Sequence, residues 1–157
     1  MKRYLLITTL LLIMVGQLFA QQDEKDAIMN VISLETSSYI AKDYEQWKDC
    51  WHTEGDILFM YVTNQQMYLY NTWKDLENAM EASFKGDANH ELQEAVRTQV
   101  QMTLNEDIAW VRFNQNDNGR ITKEQRILEK ISGNWKICNM TAVNVTSFGI
   151  EVAGNDD

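Results

Sequence analysis

Two arginines lie inside strand-like apolar segments, Arg112 in Ile108-Ala-Trp-Val-Arg-Phe113 and Arg126 in Glu124-Gln-Arg-Ile-Leu128. A guanidinium keeps its charge at any ordinary pH and is seldom buried without a partner. Two of them on neighbouring strands predict a polar pocket able to hold an anion. Glu35 is the matching oddity, because it interrupts the apolar helix face made by Ile28, Val31, Ile32 and Tyr39. It either reaches solvent from the helix edge or serves as a pocket carboxylate for one of the arginines. If Glu35 and Glu124 neutralise both guanidiniums internally, the site keeps no spare positive charge and becomes structural. His52 and Asp56 stand near a helix-to-strand turn and could line a pocket mouth, although a lone histidine there is more often structural. The two histidines and two cysteines have no zinc-ligand spacing, so neither metal nor cofactor is expected.

The elements that must position these groups can be read from periodicity. Asp23 to Lys42 has helical spacing. Asp43, with Gln46 three residues on, marks the N-terminus of a second, short helix with a Tyr44, Trp47, Trp51 stripe. Ile57–Val62 and Met67–Tyr70 read as a hairpin about the polar turn at Thr63 to Gln65. Thr72 with Asp75 opens a third helix carrying Trp73, Leu76, Met80 and Phe84, with Gly86 as its stop and a loop from Asp87 to Glu94. A four-strand meander follows from Val96 to Thr146, turning at Asn105-Glu-Asp107, Asp117-Asn-Gly119 and Ser132-Gly-Asn134. Helices segregated from an antiparallel sheet make the fold class α+β.

Composition bounds the setting. Lys2 and Arg3 precede an eleven-residue apolar run, Leu5 to Val15, that is short for a membrane span. Gly16 breaks the run, and Ala20 precedes Gln21. This pattern predicts a signal peptide over residues 1–20, cleaved after Ala20, and a secreted or periplasmic protein. The remaining domain is residues 21–150, with an acidic tail over 151–157. Losing Lys2 and Arg3 takes the formal charge from −9 to −11. That disfavours nucleic acid and anionic membranes as partners, since both need a basic surface. Cys50 and Cys138 permit a disulfide in an exported protein, but their apolar contexts favour two buried thiols.

The order of motifs resembles the nuclear transport factor 2-like superfamily, also called SnoaL-like or ketosteroid-isomerase-like. Ile40-Ala-Lys-Asp-Tyr-Glu-Gln-Trp47 resembles the break between that family's first two helices, and Asn71-Thr-Trp73 its strand-to-helix corner. Glu124 to Ile137 resembles its last hairpin. Ile108 to Gln115 resembles a strand of the association (hub) domain of calcium/calmodulin-dependent protein kinase II. The resemblance implies a cone, with N-terminal helices packed in a strongly curved, mostly antiparallel sheet and a pocket between them. It also implies that Arg112 and Arg126 point into that pocket. The family often has histidines where this chain has Asn139 and Thr141, and the aspartate base of the ketosteroid-isomerase branch has no counterpart on the later strands. Fold is therefore better indicated than activity.

The arginines' placement depends on one turn. Strand residues i and i+2 share a face. A two-residue loop at Asn118-Gly119 pairs position 112 with 125 and splits the arginines onto opposite faces. A three-residue loop with a glycine bulge pairs 112 with 126. The resemblance favours the bulged register. One face then carries Gln99, Gln101, Trp110, Arg112, Arg126, Trp135, Asn139 and Thr141. The other carries Val100, Met102, Val111, Phe113, Ile127, Cys138, Met140 and Ala142, which is too apolar to meet water and predicts a homodimer. On this reading the pocket takes a small, partly apolar, carboxylate-like ligand. Arg112 and Arg126 grip it, Tyr39, Trp47 and Trp110 wall it, and Asn139 and Glu35 complete it. Two other readings stay open: an isomerase or dehydratase using Glu35 as base and Tyr39 as acid, and an oligomerisation module without ligand.

Overall fold

The computed structural model describes the backbone of residues 2–85 and 95–150, and the side chains of 21–85 and 95–150. Helix α1 spans Lys2–Ala41. Its Ile28 and Ile32 are fully buried, one helical turn apart, and Glu35 follows on the same stripe. Lys42 then takes φ 61°, which ends the helix. Asp43 caps α2, Tyr44–Asp49, by accepting the Gln46 amide, as the sequence predicts. Strands β1, Leu58–Val62, and β2, Met67–Tyr70, form the first hairpin. The Thr72 hydroxyl accepts the Asp75 amide at the start of α3, Trp73–Lys85. The expected stop at Gly86 and the loop at 87–94 lie outside the described residues, as does the acidic tail at 151–157.

The meander follows as β3, Val96–Asn105, β4, Ile108–Asp117, β5, Arg120–Ile131, and β6, Asn134–Asn144. A short 3-10 turn, Val145–Phe148, follows β6 where the sequence reads strand as far as Thr146. The sheet order is β2-β1-β6-β5-β4-β3. All neighbours are antiparallel except β1 and β6, which run parallel because α3 and the meander separate them in sequence. The result is an α+β fold in which N-terminal helices pack against a curled, unclosed mixed sheet. The core joins Ile28 and Ile32 of α1, Trp47 of α2 and Leu76 of α3 to Val111, Phe113, Leu128 and Ile137 of the sheet.

The β4–β5 register differs from the expected one. Asn118 has φ 52° and Gly119 φ 85°, the two positive values of a two-residue type I′ loop. Asp117 therefore pairs with Arg120, Arg112 with Gln125, and Val111 with Arg126. The two arginines lie on opposite faces of the sheet. A second I′ loop, Ser132 at φ 50° and Gly133 at φ 85°, connects β5 to β6 as expected. A bulge then intervenes: Leu128 pairs with Ile137, but Ile127 pairs with Asn139, leaving Cys138 as the extra residue. Downstream of the bulge every side chain changes face relative to the expected alternation. Arg126 consequently sits opposite Met140 rather than Asn139. The inner face of the sheet is the one read as the apolar dimer face: Val111, Phe113, Met140 and Ala142. The outer face holds Gln101, Trp110, Arg112, Asn139 and Thr141.

Candidate functional site

A cavity of about 660 Å³ opens between α1, α3 and the inner face of the sheet. Its walls are aromatic and apolar: Tyr39 from α1, Phe59 and Tyr61 from β1, Tyr68 and Tyr70 from β2, Met80 from α3 and Met140 from β6. Alternation along β1 and β2 places Phe59 and Tyr61 opposite Tyr70 and Tyr68 on one face. Arg120, Asp117, Asn118 and Lys42 stand at the more exposed rim. Arg120 is paired there with Asp117, and the Lys42 ammonium lies 4.8 Å from the Tyr39 ring centroid.

The buried end is polar. Thr122, Glu124 and Arg126 alternate along β5 and so point the same way as Gln115 of β4. Arg126 is only 1% exposed. Its Nη2 lies 2.8 Å from Glu124 Oε2 and 3.6 Å from Glu35 Oε2. The other oxygen of each carboxyl is also held. The Trp47 indole donates to Glu35 Oε1 at 3.0 Å, and the Thr122 hydroxyl donates to Glu124 Oε1 at 2.6 Å. Arg97 of β3 completes the cluster. It donates to the Thr36 hydroxyl at 2.8 Å, and it and Arg126 both lie within 6 Å of the Phe113 ring, at 5.4 and 5.9 Å. Arg126 Nε and Nη1, both buried, have no hydrogen-bond partner among the described residues. Leaving such donors unsatisfied is costly.

Burial pushes the Glu35 carboxyl above its ordinary value of 4.5; Arg126 and the Trp47 hydrogen bond oppose that rise, and the charge of Glu124 adds to it. A carboxyl held in this way can carry a proton nearer neutral pH than a surface glutamate can. Tyr39, one helical turn on, lines the same cavity.

Of the residues expected to form the site, the fold brings together Glu35, Tyr39 and Arg126 on the cavity wall. Arg112, Trp110 and Asn139 are not part of it. Arg112 is exposed on the outer face, donates to Gln101 Oε1 at 3.1 Å and lies 5.8 Å from the exposed Trp110 ring. Asn139 follows the Cys138 bulge outward. Trp47 is fully buried behind Glu35 and acts on the cavity only through its indole N–H. His52 contacts Glu129 at 3.2 Å and, like Asp56, does not line the cavity. Cys50 and Cys138 are free buried thiols. Among the described residues, no cluster of His, Cys, Asp or Glu could hold a metal ion.

The sequence reading missed the tyrosine wall, Thr122 and Gln115. The signal was present: Phe59 and Tyr61, Tyr68 and Tyr70, and Thr122, Glu124 and Arg126 each repeat at i and i+2.

The sequence matches no family model and no curated protein. Solved structures do match. The association domain of calcium/calmodulin-dependent protein kinase II from C. elegans superposes with a TM-score of 0.63 at 16% identity, covering 78% of this chain and 97% of that one. A candidate dehydratase of the NTF2-like family from Streptomyces avermitilis gives 0.62 at 14% identity, covering 78% and 97%. A candidate ketosteroid isomerase from Parabacteroides distasonis gives 0.56 at 15% identity, covering 75% and 87%. The chain has the nuclear transport factor 2-like fold. The NTF2-like neighbours span an enzyme assignment and an assembly domain, so the fold admits a ligand pocket, a catalytic site or an oligomerisation role.

Proposed function

We propose that this NTF2-like protein is an exported small-molecule-binding domain, whose ligand presents a partly apolar body to the tyrosine wall and an oxygen to Arg126. One observation carries the reading: a cavity of about 660 Å³ has an aromatic wall and a few buried polar side chains, Arg126, Glu124, Thr122 and Gln115, at one end, which is the make-up a ligand pocket needs. The two-arginine clamp is not part of the proposal, because Arg112 lies on the other face. Thermal-shift screening of small carbonyl, amide and carboxyl compounds tests it, alongside Ala79→Trp. Ala79 lines the cavity from α3, so an indole there takes up part of its space. Stabilising compounds that lose their effect in the tryptophan variant support the reading. A flat screen sinks it.

A second reading rests on the raised Glu35 carboxyl: proton transfer of the isomerase or dehydratase kind, with Tyr39 as the partner acid. Glu35→Gln separates the two. Retained binding with lost turnover favours the enzyme.

Export and dimerisation belong to the same proposal. The signal-like segment 1–20 supports export, and Edman sequencing of the secreted or periplasmic protein should begin at Gln21. The outer face supports a homodimer, because it leaves Met67 60%, Trp110 48% and Leu69 45% exposed on one sheet surface. Among the described residues, no helix is long and apolar enough to cross a membrane.

A further inference from the structure

Helix α1 ends on a Schellman motif. The Lys42 amide donates to the Tyr39 carbonyl at 3.2 Å, and the Asp43 amide donates to the Ser38 carbonyl at 2.9 Å. The motif puts Lys42 in the left-handed region, at φ 61°. Glycine suits that place best, because a Cβ there crowds the following carbonyl. This chain holds a lysine instead, and its side chain is part of the cavity rim. Lys42 is half-buried, and its ammonium lies 4.8 Å from the centroid of the Tyr39 ring. The edge contact of that ring with Phe84, at 5.7 Å between centroids, braces it from the other side. The charged groups near by are already engaged with one another. Glu35 and Glu124 meet Arg126 at the buried end, and Asp117 pairs with Arg120 at the rim. Asp43 accepts the Gln46 amide. Among the described residues, no carboxylate forms an ion pair with Lys42. The tyrosine ring attracts the ammonium but does not cancel its charge, and it faces only one side of a group that carries three N–H donors.

We propose that Lys42 is the anion-recognition residue of the cavity: it takes the negatively charged end of an amphiphilic ligand, a carboxylate or sulfonate, at the rim, while the ligand's ring-bearing body lies along Tyr61, Tyr68 and Tyr70. This rests on the pocket reading above and holds whatever uncharged contacts the ligand makes at depth. An anion at the rim keeps part of its hydration, so the cost of desolvating it stays small. At the buried end it would meet two carboxyls already drawn to Arg126. Repulsion from the chain's net charge of −9 is screened over about 8 Å at physiological salt, whereas an ammonium in contact is not. The left-handed backbone agrees with the role, because strain of this kind persists where a side chain serves a ligand.

The test uses two fluorescent probes with one ring system, 8-anilinonaphthalene-1-sulfonate and the uncharged N-phenyl-1-naphthylamine. Affinities are measured by fluorescence titration at pH 7 on the wild-type chain and on Lys42→Met, Lys42→Arg, Lys42→Gly and Ala79→Trp. Lys42→Met should weaken the sulfonate by about fivefold, the upper end for an ion pair at a partly exposed site, and leave the uncharged probe unchanged. Lys42→Arg should keep the sulfonate's affinity. Lys42→Gly should lose it as methionine does, yet melt a few degrees above wild type, since glycine relieves the left-handed backbone. The glycine variant carries the test if the methionine variant fails to fold. Ala79→Trp should weaken both probes, which places them in the cavity. Equal effects of Lys42→Met on the two probes, or none, overturn the role of Lys42 while leaving a pocket that binds. A glycine variant less stable than wild type gives the lysine a structural reason to be there and overturns the role as well. If neither probe binds, or if both ignore Ala79→Trp, the role of Lys42 and the pocket reading fall together.

Discussion

Replacing Arg126 and Arg112 in turn by methionine measures how differently two similar-looking arginines are used. Methionine keeps most of the apolar stem and removes the charge. At position 126 the change strands Glu124, 2.8 Å from the lost nitrogen, and Glu35, 3.6 Å away, both buried. Breaking a buried pair from one side costs about 3–5 kcal/mol. The lower end applies, because Arg97 stays close enough to act on Glu35 and because Trp47 and Thr122 still donate to the two carboxyls. About 3 kcal/mol in a domain of this size lowers Tm by roughly 10 °C. At position 112 the change removes an exposed contact to Gln101 and the approach to Trp110, worth at most about 1 kcal/mol. Urea titrations at pH 8 and pH 5.5 read both. The Arg126 deficit should shrink at the lower pH, since protonating either stranded carboxyl removes the buried charge. The Arg112 deficit should stay flat. Equal deficits for the two variants would refute the register, and a pH-independent Arg126 deficit would refute the ion-pair account.

Three further outcomes follow from the same geometry. Because folding raises the Glu35 carboxyl above 4.5, the native state binds more protons than the unfolded chain in the window above that value, so this group costs stability as pH rises through it. Glu35→Gln, which keeps an acceptor for Trp47, should gain stability relative to wild type as pH rises from about 4.5 toward 8; denaturation midpoints that track wild type across the range contradict this. Burial holds the Cys50 thiol up to about 12 and Cys138 up to about 11, so neither should react with a thiol reagent at pH 8 until the chain unfolds. Prompt labelling of the native protein would place a thiol at the surface. For the proposed homodimer, light scattering at micromolar concentration should give twice the chain mass, and Trp110→Glu on the exposed outer face should halve it at unchanged helicity; a wild-type monomer removes the proposal.

Much of the fold was legible because its boundaries rest on local chemistry. Asp43 caps α2 through its own side chain, and Thr72 caps α3. The end of the first helix, the β1–β2 hairpin and the four strands of the meander fall within a few residues of their expected limits. These features need no knowledge of distant packing. The continuation of strand past Asn144 was misread for the converse reason. Asn144 accepts the Ser147 amide and starts a 3-10 turn, a side-chain option that a run of β-branched residues conceals.

The site was less legible because a pocket depends on parity, and parity is lost by a single residue. Two events set the parity of β4, β5 and β6. The first is the Asn118-Gly119 turn. Asn-Gly is the residue pair that accepts two positive φ values, so the residues themselves favour the two-residue loop. The family resemblance pointed to a bulge, and following it moved Arg112 to the wrong face. The second is the bulge at Cys138, which no turn residue announces and which sends Asn139 outward and Met140 inward. With both events in place, Thr122, Glu124 and Arg126 of β5 line the cavity, and Arg126 reaches Glu35. Arg126 then shares its cavity with a wall of tyrosines rather than with a second arginine. That exchange alters the chemistry of the site more than its position. Two arginines would attract a free anion, whereas Arg126 is already shared by two glutamates and offers a free anion no unpaired charge.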